Sequence, residues 1–243
     1  MSQELPEPIR AFDDAQRRAI GMLRDVTQRL EAGMSERDVF ELAETRLGEH
    51  GFDGWFHAPH VFVDDRIAGT LLPRPSASVK LEPGKLVSID LGPASGDAYG
   101  DVGTTIHFGG GEEPAVLQVA RECVRACCGY ASRWKTVGEV FIFAQAWAVN
   151  HRMDLASKKA VGHRVLPKEG WLATGFPRSA HAATLLGRNR IHRLNPVRMS
   201  GMFAIRPVIE HDGLAAGFEE MIYIKDDVRK VLGRESLAEI GAL

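Results

Sequence analysis

The stretch that most constrains this chain runs from Leu86 to Gly109 and reads LVSIDLGPASGDAYGDVGTTIHFG. Two short β-prone runs each carry an aspartate, and Gly92, Pro93 and Gly96 punctuate the segment between them; such a pattern predicts a β-hairpin. With a side-chain period of two, Ser88 and Asp90 share one face of the first strand. Asp101, Gly103, Thr105 and His107 share one face of the return strand, which begins near Tyr99. Asp90, Asp101 and His107 are therefore expected on a common face. Two carboxylates on one face of otherwise apolar strands repel each other, and burial raises at least one pKa unless a cation lies between them. Hard oxygen donors of this kind suit a divalent metal. Either aspartate alone would read as an ordinary strand-end residue.

With 243 residues the chain is long enough for a substantial core. Charged residues make up 26% and the formal net charge is −2, a balance that gives no basis for DNA binding. The opening MSQELPEPIR lacks the apolar run of a signal peptide, and no stretch approaches the length of a membrane span. A cytoplasmic protein without membrane or nucleic-acid partners is expected; a homodimer is compatible with the sequence. Cys123, Cys127 and Cys128 fall on one predicted helix, a spacing that forms neither a disulfide framework nor a complete zinc motif, and they read as reduced packing residues.

Apolar periodicity predicts helices over about 8–30, 35–51, 113–133 and 137–150, with Ser35 as N-cap of the second. WFHAPHVFVDD is β-prone and holds His57 and His60, each of which taken alone reads as a hydrogen-bonded strand-end residue. The tail from Lys225 reads as a short helix plus a loose end. Strands alternating with helix pairs predict an α+β layer, with the helices on one sheet face. Residues 164–198 are basic, with Arg164, Lys168, Arg178, Arg188, Arg190, Arg193 and Arg198 against Glu169 alone. A long segment of that charge reads equally as a solvated surface or as a loop steering an anionic substrate or docking an acidic partner.

IDLG followed by AYGDVGTTIHFG resembles the paired motifs IDxG and GYxxDxxRTxxxG of the methionine aminopeptidase, X-Pro dipeptidase and creatinase family, with Gly103 and Thr104 standing where other members have Thr and Arg. EAGMSERDVFELAETRLGEHG resembles that family's second helix, and HAPHVFVDD resembles an HxPHVRFG phrase whose histidines border the site in a subset of members. The resemblance covers nearly the whole chain. It implies the pita-bread fold, an α+β architecture with a curved antiparallel-rich sheet covered by two helix pairs. It also implies a single catalytic-type domain over 1–243, without the separate amino-terminal domain of prolidase and creatinase.

The resemblance further implies metal ligands at Asp90, Asp101, His163 (in AVGHRV) and Glu219 (in AGFEEMIYI). At the fifth position MFAIRPVIE places Arg206 where the family has a ligand glutamate. Arginine cannot lose its proton to relieve the conflict. At about 4 Å and an effective dielectric near 20, each facing unit charge is worth roughly 4 kcal/mol, so a second divalent ion beside Arg206 is strongly disfavoured. The histidine that many members carry before the LEPG turn is absent from LLPRPSASVKLEPG.

Three functions follow from the resemblance. One is a hydrolase with a single divalent ion (Mn, Fe, Co or Zn), acting on a short peptide or other small C–N bonded substrate, with Arg206 binding a substrate carboxylate or the developing oxyanion. Another is a metal-free, creatinase-like enzyme in which Arg206 supplies the counter-charge and His163, His107 or His60 serves as the base. The third is a non-catalytic binding protein on the same fold.

Overall fold

The computed structural model describes residues 5–69, 74–156, 160–166 and 189–235. Helix α1 (Glu7–Gln28) buries Phe12, Ala15, Ala19, Leu23 and Val26, positions three or four apart that make one apolar stripe. Helix α2 (Glu36–Arg46) starts at Ser35, whose side chain accepts from the Asp38 amide while Asp38 accepts from the Ser35 amide, so two of the helix's unpaired amides are satisfied reciprocally. β1 (Gly54–Val63), β2 (Leu86–Ser95), β3 (Ala98–Tyr99) and β4 (Val102–His107) then form a four-stranded sheet in which β2 lies between β1 and β4.

A second helix pair follows, α3 (Ala115–Tyr130) and α4 (Val137–Asn150). The remaining strands are β5 (Asp154–Leu155), β6 (Gly162–Val165), β7 (Gly201–Ile205), β8 (Val208–His211), β9 (Leu214–Gly217), β10 (Glu220–Lys225) and β11 (Val228–Val231). They build a four-stranded sheet in the order β11-β10-β7-β6 and a three-stranded one in the order β5-β8-β9. Two apolar cores result. One packs α1 and α2 against β1 and β2; the other packs α3 and α4 against the strands of the carboxyl-terminal half. Each fully buried Leu, Val or Phe in them contributes about 1.5–3 kcal/mol. The two four-stranded sheets meet at one bridge, where the Glu219 amide donates to the Gly103 carbonyl at 2.9 Å.

Two sequence expectations change. Among the described residues the tail forms no helix: Asp226, at φ 52°, and Asp227 make a two-residue turn and Val228–Val231 returns alongside β10. The return strand of the acidic hairpin is split, with Asp101 between β3 and β4. All three cysteines are buried, in keeping with their reading as packing residues. Among the described residues no helix is long and apolar enough to cross a membrane.

Candidate metal centre

The acidic cluster forms where the sheets meet. In β2, Asp90 pairs with Gly103 of β4 and Ser88 pairs with Thr105, so the parity read from sequence places Asp90 and Ser88 on the site face. Asp101 is fixed through its backbone: the buried Gln16 of α1 accepts from its amide at 2.7 Å and donates to its carbonyl at 2.9 Å. Gly100 permits this approach, since a Cβ there would lie 2.4 Å from Ala19. Glu219 enters from between β9 and β10, and His163 from β6. At Gly162 φ is 135° and a Cβ would sit 2.1 Å from the Ala204 carbonyl. Only glycine fits there, and it lets β6 press against β7 with His163 turned inward.

Asp101, His163 and Glu219 each bring a ligand-type atom to within 4.8 Å of the others, and all three are buried. His163 Nε2 lies 3.0 Å from Asp101 Oδ2. Its Nδ1 lies 3.1 Å from the Arg164 carbonyl, which can only accept, so Nδ1 carries a proton. His57 repeats the arrangement: Nδ1 donates to the Ala58 carbonyl at 2.9 Å, and Nε2 stands 3.2 Å from Asp101 Oδ1 and 3.4 Å from Asp90 Oδ1. His60 Nδ1 is 3.6 Å from Asp90 Oδ2.

Sequence parity could not find His57. His57 and His60 are three residues apart and would face opposite ways in a regular strand. Register shifts between Trp55 and His57, and again between His57 and His60, bring both to the acidic face. The ring also needs Gly92, where a Cβ would meet it at 2.5 Å. His107 is not brought into the cluster. It pairs with Leu86 at the far end of β4, four residues or roughly 13 Å along the strand from the level of Asp90.

Arg206 follows β7 and reaches into the same cluster. Its Nε is 3.7 Å from Asp90 Oδ2 and 3.8 Å from Glu219 Oε2, and Nη2 donates to Ser88 Oγ at 3.1 Å. A Cβ on Gly103 would come within 3.2 Å of Nε. Two of the departures from the family motif, Gly103 and Arg206, are therefore neighbours, and a side chain at 103 would crowd the guanidinium. Glu220 points the other way, into an ion pair with Arg234, and Glu210 lies on β8 opposite Asp154 and Ala215. Of the basic segment, Lys168, Glu169, Arg178 and Arg188 lie outside the described residues; Arg164 donates to the Ser200 carbonyl and Arg198 to that of Trp134.

The charges do not share one fate. Burial works against the charge of Asp90, but Arg206 and His57 beside it hold its carboxyl well below the usual range. Burial likewise opposes Asp101, which His163 and His57 keep ionised. Burial and then the negative charges of Asp101 and Asp90 push Glu219 up, with Arg206 opposing, so the third carboxyl is the one that takes a proton. Burial disfavours the His57 imidazolium, yet Asp90 and Asp101 outweigh it and raise its pKa to about 9.

The donor set fits a divalent ion. Asp90 Oδ1 and Asp101 Oδ2 are buried and each faces an imidazole nitrogen, His57 Nε2 at 3.4 Å and His163 Nε2 at 3.0 Å. Two imidazoles whose Nδ1 protons are committed to backbone carbonyls present Nε2 to a carboxylate, an approach that requires a cation between the partners, either a proton or a metal. Anchoring of the outer ring nitrogen is also how metal-ligating histidines are held.

The profile of metallopeptidase family M24 matches residues 10–226. The chain belongs to that family. Among solved structures it superposes on a prolidase from Pyrococcus furiosus with a TM-score of 0.76 at 20% identity, covering 96% of this chain and 65% of the other. For an X-Pro aminopeptidase from Thermotoga maritima the TM-score is 0.75 at 17% identity, with coverages of 94% and 61%. For a methionine aminopeptidase from Thermotoga maritima it is 0.75 at 19% identity, with coverages of 96% and 98%. The chain thus spans less than two thirds of the first two relatives and nearly all of the third. The M24 likeness establishes the pita-bread fold. A search of curated sequences finds no match.

Proposed function

We propose that this M24 member is a hydrolase of C–N bonds in short peptides or similar small amides, with one divalent ion (Mn, Fe, Co or Zn) held by Asp101, His163 and Glu219 beside Asp90. The observation that carries this reading is the survival of that convergent, buried donor set around an arginine that has taken the fifth position. A bound ion would supply a water of lowered pKa and polarise the scissile carbonyl. The chain's own residues supply the rest. Arg206 keeps its Nε buried without a hydrogen-bond acceptor, a donor available to a substrate carboxylate. His60, whose imidazole is 21% exposed, stands at the rim, where it can pass a proton to the departing amine. Asp90 holds His60 and Arg206 in place.

The test is metal content per chain, measured on protein purified without chelator and re-equilibrated with each of the four ions. At least one tightly held ion is expected, with the tightest equivalent lost on Asp101→Asn. Absence of bound metal under all four conditions would reject the reading. A dipeptide with a free carboxylate should lose rate on Arg206→Met while its amide does not.

His57 favours a second reading. Its Nε2 bridges the two aspartates with side-chain charge alone, so a metal-free enzyme on this fold would use His57 and Arg206 as counter-charges. In that case turnover would survive exhaustive chelation and fall on His57→Gln.

A further inference from the structure

A second group of ligand-type side chains lies on the opposite flank of Asp90. His57, His60 and Asp90 each bring one ligand atom to within 4.8 Å of the others. We propose that these three residues form a separate cation site for a divalent ion of borderline hardness, such as Zn, Co or Fe(II). Two imidazoles and one carboxylate favour such ions over Mg or Ca.

Three observations support this site. Asp90 is 6% exposed and its Oδ1, which His57 Nε2 faces at 3.4 Å, is buried without a hydrogen-bond partner. His57 Nδ1 donates to the Ala58 carbonyl, and Nε2 lies 3.2 Å from Asp101 Oδ1 and 3.4 Å from Asp90 Oδ1; an ion that displaces the Nε2 proton meets the ring in the orientation a ligating histidine needs. Strand order then brings the histidines to Asp90 from the edge of β2 away from β4. β1, which carries both histidines, pairs with one edge of β2, whereas Gly103 lies on β4 at the other edge and Arg206 reaches over to Asp90 and Ser88 of β2. Arg206 Nε approaches Asp90 Oδ2 at 3.7 Å, whereas His57 Nε2 faces Oδ1 at 3.4 Å, so the ion takes the Oδ1 side of the carboxylate. His60 is the partly exposed member and gives the ion access to water. The second equivalent binds more weakly than the ion at Asp101, because that ion and Arg206 together already balance the charge of Asp90, Asp101 and Glu219.

This site goes beyond the proposed function and is tested apart from it. Chelated and dialysed protein is titrated with Co(II) alone, following visible d–d absorption and calorimetric stoichiometry. Wild type is expected to take two equivalents, His60→Ala only the tighter one, and His163→Ala only the weaker one. Folding of each variant is checked by circular dichroism, and His60, at the rim, tolerates truncation. If His60→Ala leaves stoichiometry, affinity and spectrum unchanged, the site is overturned while the ion at Asp101 stands. If His60→Ala abolishes binding and His163→Ala does not, the site stands and the ion at Asp101 falls. If wild type takes no Co(II), both are overturned.

Discussion

Glu219 and Glu220 are neighbours that face opposite ways, and each meets an arginine. Glu220 and Arg234 close on each other, with Nη2–Oε1 at 2.9 Å and Nε–Oε2 at 3.0 Å, and both side chains are 2% exposed. Arg206 approaches Glu219 only to 3.8 Å and divides its attention between Glu219, Asp90 and Ser88, with a side chain 20% exposed. The first arginine is consumed by one partner in a fork-to-fork pair. The second sits among more negative charge than it can contact well, with its side chain partly exposed. Buried pairs of the first kind hold structure together; a guanidinium of the second kind keeps a donor for something else.

The difference between the two arginines can be broken most forcefully by removing each in turn. Arg234→Met leaves the Glu220 carboxylate buried without its partner and should cost about 3–5 kcal/mol. Arg206→Met should cost clearly less, because Arg206 is partly exposed and approaches Asp90 and Glu219 only to 3.7 and 3.8 Å. Urea unfolding of both variants at pH 7 compares them directly. Equal losses would mean that Arg206 is structural too.

A smaller effect sharpens the account of how Arg206 fits. Gly103→Ala brings a Cβ to 3.2 Å from Arg206 Nε and from Glu219 Cβ, and should cost about 1 kcal/mol by crowding. In Arg206→Met the same substitution should cost less. A double-mutant cycle measures that coupling, and strict additivity would show that the glycine does not serve the arginine.

The smallest effect belongs to a surface counterpart. Asp25 receives hydrogen bonds from Arg29 and Arg46 on the exposed side of α1. The Arg29 bond, opposed by slight burial and helped by Arg46 and His50, lowers its pKa to about 2. A depressed folded-state pKa gives a contribution that is full above the ordinary carboxylate value near 4 and disappears as pH falls toward 2. Surface pairs are worth no more than about 1 kcal/mol. Asp25→Asn should therefore lower stability slightly at pH 7, with the gap closing at acid pH and in high salt; a gap that widens at low pH would contradict this.

Much of this site could be read in the chain because its parts are local. Asp90 and Ser88 follow from strand parity, Ser35 from capping chemistry, and His163 from Gly162 together with the family motif. What could not be read depends on contacts distant in sequence or on irregular backbone. Gln16 is 85 residues from Asp101, and nothing in the helical stripe of α1 marks it as the clamp of an acidic loop. His57 needs two register shifts and a facing glycine before it can point inward. Gly103 and Arg206 were each visible as departures from a motif, but only the crossing of the two sheets shows that one makes room for the other. The strand at Val228–Val231 was hidden by charged residues that suit a helix end as well as a hairpin edge.

The central claim is that Arg206 occupies, by charge and position, the place of a metal ligand. The most direct test is calorimetric titration of wild type and Arg206→Glu with Mn(II) or Co(II) at matched ionic strength. The substitution should tighten the first equivalent by at least about tenfold, since it replaces a repulsive facing charge worth several kcal/mol with an attractive one. A folded Arg206→Glu protein that binds metal no more tightly than wild type would contradict the account.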